Sequence, residues 1–338
     1  MKRKYRIAIF LAIVMVSLLI YETFLSPNYF EGDRFIIVSR GETFENVTDS
    51  LISAGIITNR FYFKAAGRIL GWTTKMQIGK YRFKSGVSNF EILDIMHGGK
   101  TIETITVTIP EGYRTTTIAK ICEEKVGVDS ARFMSFVNDS SFARKLEVEA
   151  GNLNGYLMPK TYEFYWQTDE ERILKTLVRE FWNNVDSSML AQAKRRGKNI
   201  HEIVTLASII ELETAVDTER AIIAGVYYNR LKRNMRLQAD PTVQYALGGE
   251  PRRLLFSDLK VQSPYNTYVN YGLPPGPINN PGLASIKAAL FPAQHRYLYF
   301  VATGEGGHRF SSSFNEHGRA KQKYIRTREQ QRKLQEPQ

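Results

Sequence analysis

Residues 200–214 read IHEIVTLASIIELET. Apolar residues fall on nearly every side of a 3.6-residue period, so the stretch predicts a helix buried almost all round. Its last turn carries two carboxylates, Glu211 and Glu213. Residues two apart on a helix point to nearly opposite sides, so the two acids cannot share one cleft. Glu213 shares a face with Leu206, Ile209 and Ile210, and Glu211 with Val204, Ala207 and Ser208. Apolar surroundings disfavour the ionised form and hold a carboxyl protonated near neutrality, as a general acid requires. Glu213 has the more apolar backing and is the preferred candidate, with Glu211 as the alternative. The pattern equally allows two acids that face water past the helix end.

Downstream, MRLQADPTV (235–243) leads into a further helix, with Asp240 and Pro241 at the N-cap and first helical position. The loops SPYNTY (263–268), GLPPGPI (272–278) and NPG (280–282) follow. They concentrate aromatic rings, amides and residues of fixed φ. Sugar sites need flat aromatic faces with rigid amide and hydroxyl partners. Gln238, Asp240, Thr242, Tyr265, Asn266, Thr267 and Tyr268 are therefore the candidate substrate-binding residues. Each taken singly is also ordinary turn chemistry.

The ordered set LASIIELET (206–214), RLQADPTV (236–243), YNTY (265–268), GLPPG (272–276) and GHRF (307–310) resembles the endolytic murein transglycosylase, or YceG-like, family. The resemblance implies cleavage of the β-1,4 bond between N-acetylmuramic acid and N-acetylglucosamine in peptidoglycan. It also implies 1,6-anhydro product ends and termination of nascent-strand elongation. In such chemistry one carboxyl suffices, because the sugar's own C6 hydroxyl attacks where a hydrolase would need a second carboxylate. Other lytic transglycosylases place their acid just before a serine at a helix end, and Glu213-Thr214 resembles that pattern better than Glu211-Leu212. One departure is visible: the family tends to carry acidic residues before Gly-Tyr-Leu and after the following proline, where this chain has Asn154 and Lys160.

Working outward, Ile7–Ile20 reads IAIFLAIVMVSLLI without a charge, and Tyr21–Leu25 extends it. That meets the lower part of the length a membrane span needs, and no small-residue cleavage site follows. Lys2, Arg3, Lys4 and Arg6 precede it, whereas Glu22, Glu31 and Asp33 follow it. The charge bias predicts a single-pass anchor in the inner membrane with the bulk of the chain outside the cytoplasm, and Pro27 ends the helix. Beyond it, Phe35–Val38, then Gly41-Glu42-Thr43, then a helical period through Phe44, Val47, Leu51 and Ile52 resembles a LysM module, which binds N-acetyl sugars. Ser88 is placed to cap a helix running through Met96, and Thr104–Ile109 alternates as a strand.

The 338 residues carry a formal net charge of +12, with basic residues gathered at both ends. A basic surface suits any polyanion, but no nucleic-acid motif accompanies it, and the C-terminal excess reads as a solvated tail. The single cysteine, Cys122, excludes an intramolecular disulfide and a zinc-ligand pattern, and reads as a buried thiol. No metal or cofactor is expected.

The expected architecture is α+β: a basic stub and transmembrane anchor over 1–30, a small LysM-like domain over 31–103, and a larger catalytic region over 104–338 with its core at about 200–325. The expected partners are peptidoglycan glycan strands, the inner membrane and wall synthases of the penicillin-binding type. Two rivals stand beside this reading. One is a hydrolytic muramidase using Asp240 or Asp217 as second carboxylate. The other is a non-catalytic peptidoglycan-binding scaffold.

Overall fold

The computed structural model describes residues 2–74, 76–304 and 306–335. In chain order the elements begin with α1 (Lys2–Ile20), β1 (Pro27–Asn28), β2 (Arg34–Val38), α2 (Phe44–Ser53), α3 (Arg60–Leu70), β3 (Gly79–Phe83), β4 (Val87–Ser88), α4 (Asn89–Gly98), β5 (Ile102–Glu103) and β6 (Ile105–Thr108). Next come α5 (Thr115–Val126), α6 (Ser130–Val137), α7 (Ser140–Lys145), β7 (Thr161–Phe164), α8 (Glu170–Asn184), α9 (Ser187–Arg195), α10 (Ile200–Glu213), α11 (Asp217–Lys232) and α12 (Asp240–Leu247). The chain closes with α13 (Leu283–Leu290), β8 (Tyr299–Ala302), β9 (His308–Ser311) and α14 (Phe314–Gln335). The fold is mixed α+β, with sheets of two or three strands. The chain divides into two compact units. One is Met1–Val107 with Cys122–Val128 and Tyr162–Asp169; the other is Thr108–Ile121, Asp129–Thr161 and Glu170–Gln338.

In the first unit, α1 passes into a single π-helical turn, Tyr21–Leu25. The span Arg3–Leu25 is long and apolar enough to cross a membrane and is almost wholly unburied by protein. The turn stops where Ser26 becomes extended, as the residue before Pro27 should. Asn89 Nδ2 donates to the Thr23 carbonyl at 3.1 Å, and β1 pairs with β4, so the end of the apolar segment is tied into the unit. The order β2-α2-α3-β3 brings β2 and β3 together antiparallel, and β5 adds on the far side of β3. Val47, Leu51, Ile56, Phe63, Tyr81, Ile92 and Leu93 fill the core between sheet and helices. Ser88 caps α4 through a reciprocal pair with Glu91: the Ser88 hydroxyl accepts from Glu91 N and the Glu91 carboxylate accepts from Ser88 N, which satisfies two donors of that helix start. The strand expected over 104–109 is present as the shorter β6, with β5 just before it. Cys122 is buried.

In the second unit, α10 packs against α11 and α13. Ile203 to Ile210 is buried without interruption, as its composition requires. Asn199 caps the start by accepting from Glu202 N at 2.8 Å, while Glu202 returns a bond to Asn199 N. Thr214 ends the helix: its backbone is extended, and its hydroxyl accepts from Val216 N at 3.0 Å. This turn reverses the chain into α11 and leaves Glu213 in the last turn of α10. One expectation is corrected: Asp240 is not the N-cap of α12; Ala239 holds that position, and no side chain caps it. The C-terminal basic segment is a 22-residue helix, α14.

Candidate active site

The two acids of α10 have opposite surroundings. Glu211 Oε1 takes Arg220 Nη1 at 3.0 Å, and its Oε2 takes Gly282 N at 2.8 Å. Both side chains of the ion pair are under a tenth exposed. Arg220 reaches on to Ser285 Oγ at 2.6 Å and to Asp217 Oδ1 at 3.0 Å. Glu211 therefore joins α10, α11 and the start of α13, and neither of its oxygens is left over. The water-facing reading of this acid is overturned: a buried carboxylate is tolerable here because a guanidinium and a backbone N–H answer it.

Glu213 lines a cleft of about 920 Å³ together with Tyr113, Arg114, Leu212, Asp240, Tyr245 and a loop over 249–254. Its Oε1 accepts from Tyr227 Oη at 2.6 Å. Among the described residues no protein group bonds Oε2. Burial pushes the Glu213 carboxyl up to about 7, against a smaller downward pull from the Tyr227 hydrogen bond. A negative charge is also unfavourable at the C-terminal end of a helix. Burial and the neighbouring carboxyl push Tyr227 well above a phenol's usual value, so it stays a donor. Behind this pair, Arg230 is buried and donates to the Leu237 and Leu298 carbonyls. Thr214 and His308 both bond Glu219, which fixes the helix turn against β9.

The sequence-selected loop residues separate into two groups. Asp240 lines the cleft and accepts from Tyr268 Oη at 2.5 Å. Gln238 is exposed and holds φ at +49°, a left-handed conformation uncommon outside glycine. Tyr265 packs its ring 4.6 Å from Tyr245, which lines the cleft. Thr242, Asn266 and Thr267 are instead buried. The Thr242 and Thr267 hydroxyls bond each other at 2.8 Å, and Thr267 Oγ1 accepts from Ala239 N. Asn266 donates to the Leu259 and Val261 carbonyls and accepts from Tyr268 N. These three hold the loops together behind Asp240, which alone of the seven candidates lines the cleft. Asp217 belongs to the Glu211 cluster and does not line the cleft.

The segment around Gly155 is a brace. Asn280 Oδ1 accepts from Gly155 N and Leu157 N, while Asn280 Nδ2 donates to the Tyr113 carbonyl. Gly155 sits at φ +86°, and a side chain there would meet Pro277 and Val204. Lys160, one of the departures from the family's pattern, pairs with Glu180 at 2.6 Å.

The YceG-like family model matches residues 36–323. The chain belongs to the YceG-like family. The endolytic murein transglycosylase of Bacillus subtilis (strain 168) is 35% identical over 281 residues, 79% of this chain and 76% of that one. The endolytic murein transglycosylase of Streptococcus pneumoniae serotype 2 (strain D39) is 26% identical over 90% of this chain, which spans only 64% of that relative's length. The crystal structure of a yceG-like protein from Listeria monocytogenes matches with a TM-score of 0.62 at 32% identity, over 85% of this chain and 98% of that one.

Tyr227, Arg114 and the 249–254 loop of this YceG-like chain were not picked out from sequence. Tyr227 stands fourteen positions beyond Glu213, across a helical hairpin, and no local pattern points from one to the other. Arg114 is positioned by a fold contact far along the chain, with the Gln244 carbonyl.

Proposed function

We propose that this chain is an endolytic murein transglycosylase in which Glu213 is the acid and the base. The observation that carries the reading is a carboxyl with a pKa near 7, one oxygen held by Tyr227, at the wall of an open cleft. Glu213 donates its proton to the glycosidic oxygen as the C1–O bond breaks. The C6 hydroxyl oxygen of the same muramic acid bonds to C1, and its proton passes to the Glu213 carboxylate. The ring closes as a 1,6-anhydro end, the acid is regenerated and no water is consumed. Tyr227 fixes the carboxyl through Oε1, which leaves Oε2 for both transfers. Asp240, Gln238, Tyr265 and Tyr268 meet the strand, and Thr242, Asn266 and Thr267 support them from behind.

A second reading rests on Asp240, a carboxyl lining the same cleft, which could activate water in a hydrolytic muramidase. Its bond from Tyr268 favours a positioning role instead. Digestion of purified glycan strands followed by mass analysis of the product ends decides between them. Anhydro ends support the transglycosylase, reducing ends the hydrolase, and uncut strands a scaffold.

The apolar span and its basic flank support a single-pass anchor in the inner membrane, with the catalytic region, residues 104–338, outside the cytoplasm. The β2-α2-α3-β3 order supports a LysM-like unit over 31–103. Wall synthases of the penicillin-binding type are the partners within reach from that side. A C-terminal reporter active only in the cytoplasm should be silent, and a strong signal would reverse the orientation.

A further inference from the structure

We propose that Arg253 is a carboxylate-binding residue in the Glu213 cleft, so that the cleft takes a murein strand by an anionic group on its muramyl side chain as well as by its sugars. This rests on the murein reading of the same cleft. The loop that carries Arg253 leaves α12 through two glycines at positive φ, Gly248 and Gly249. Arg114 donates to the Gln244 carbonyl at 3.0 Å and to the Gly249 carbonyl at 3.4 Å, and lies over the Tyr245 ring. The Gln244 side chain bonds the backbone of Arg252. Arg252 forms a two-pronged pair with Asp258, at 2.8 and 2.9 Å, and also donates to the Arg253 carbonyl. Two arginines are thus engaged in holding the loop. The third, Arg253, lines the cleft, and among the described residues its guanidinium has no hydrogen-bond or ion-pair partner.

A neutral glycan needs hydrogen-bond partners, and among the cleft-lining residues Asp240 brings acceptor oxygens, Gln244 an amide, and Tyr113 and Tyr245 hydroxyls. It gives no reason for a guanidinium held out from a braced loop. A guanidinium offers a rigid fork of N–H donors that matches a carboxylate two-to-two, which an ammonium does not. Arg253 is exposed, and Glu250 lines the same cleft. The chemistry recognised is a carboxylate. Muramic acid carries one on its lactyl group when no peptide is attached, and peptide-substituted strands carry others on the stem.

The test uses the full chain in detergent with three substrates: peptide-bearing strands, the same strands with their carboxyls amidated, and peptide-free strands with the lactyl carboxylate exposed. Arg253→Gln should raise KM on peptide-bearing strands by about three- to tenfold, as for one exposed charge-assisted hydrogen-bond pair, with kcat unchanged. On amidated strands parent and variant should agree, and Arg253→Lys should recover part of the loss. A KM effect on peptide-free strands but not on peptide-bearing ones assigns the lactyl carboxylate as ligand; one on peptide-bearing strands but not on peptide-free ones assigns the stem peptide; one on both means that the fork takes either carboxylate. An equal rise on amidated strands, or no rise on any carboxylated strand, overturns the proposal. The same digests report on the underlying reading separately, because a parent enzyme that makes no anhydro ends sinks the transglycosylase assignment whatever Arg253 does.

Discussion

On one side of the last turn of α10, Glu211 gives both oxygens to partners inside the protein; on the other, Glu213 gives one. The Glu211 side is saturated: Arg220, Gly282 N, Ser285 and Asp217 close a network that ties three helices. The Glu213 side is deliberately incomplete, with a phenol in place of a guanidinium and an open cleft in place of the second partner. The difference teaches what each acid can do. A guanidinium and a backbone N–H that together occupy both oxygens make Glu211 a fastener between helices. A single neutral donor in a dry setting leaves it free to gain and lose a proton near neutrality.

The largest break of this comparison is Glu213→Gln. It keeps the shape but cannot shuttle a proton, so turnover should fall by about 10²–10⁴-fold or more, since one group does both jobs. Its stability should change with pH in a stated direction. The folded-state pKa is raised to about 7, above its ordinary value of 4.5, so the folded protein meets a cost as pH rises through that interval. Thermal melts at pH 8 should show the variant more stable than the parent, and at pH 4 the two should coincide. Full activity in the variant would break the one-glutamate mechanism.

Glu211→Gln is the opposite substitution. It removes the charge that answers buried Arg220, and breaking a buried pair from one side typically costs about 3–5 kcal/mol. Denaturant melts should show a loss of that order, while activity per folded molecule stays near the parent's. A stable but inactive Glu211→Gln protein would invert the assignment of the two acids.

How much of this contrast was legible beforehand depends on distance along the chain. The burial of α10, the opposed faces of its two acids and the preference for Glu213 follow from a local period, and so does Ser88 as a helix cap. Arg220 and Tyr227 do not follow, because each meets its carboxylate across a hairpin whose register only packing fixes. Chemical type marks the loop residues but says nothing of direction: Asn266 and Asp240 read alike in sequence, yet one is buried in the scaffold and the other lines the cleft. The Asp240 cap was misread because Asp-Pro is a common helix start, and here the carboxyl is taken by Tyr268 one position inside the helix.

Asn266→Ala sharpens the comparison at smaller scale. Its amide satisfies two carbonyls and one N–H inside the loop, so truncation should cost about 1–3 kcal/mol of stability. In a melt-corrected assay KM should move little. A large rise in KM at unchanged stability would return Asn266 to the sugar-contacting group.

Tyr227→Phe is expected to have the smallest effect on stability and the most specific effect on pH. The phenol donates to Glu213 Oε1, a bond that favours the ionised carboxyl and partly offsets the upward push of burial. Removing the hydroxyl leaves burial unopposed, so the Glu213 pKa should rise further. The acid form then persists to higher pH, and the descending limb of kcat/KM, expected near pH 7 in the parent from the Glu213 carboxyl, should move upward. One lost hydrogen bond is worth about 0.5–1.5 kcal/mol, so the limb should shift by up to about one pH unit, with a few-fold loss at the optimum from looser positioning. A ring that merely filled space would lower the whole profile without moving the limb. A shift to lower pH would mean that the phenol bonds the protonated carboxyl more strongly than the ionised one, and Tyr227 would then hold the acid form in place.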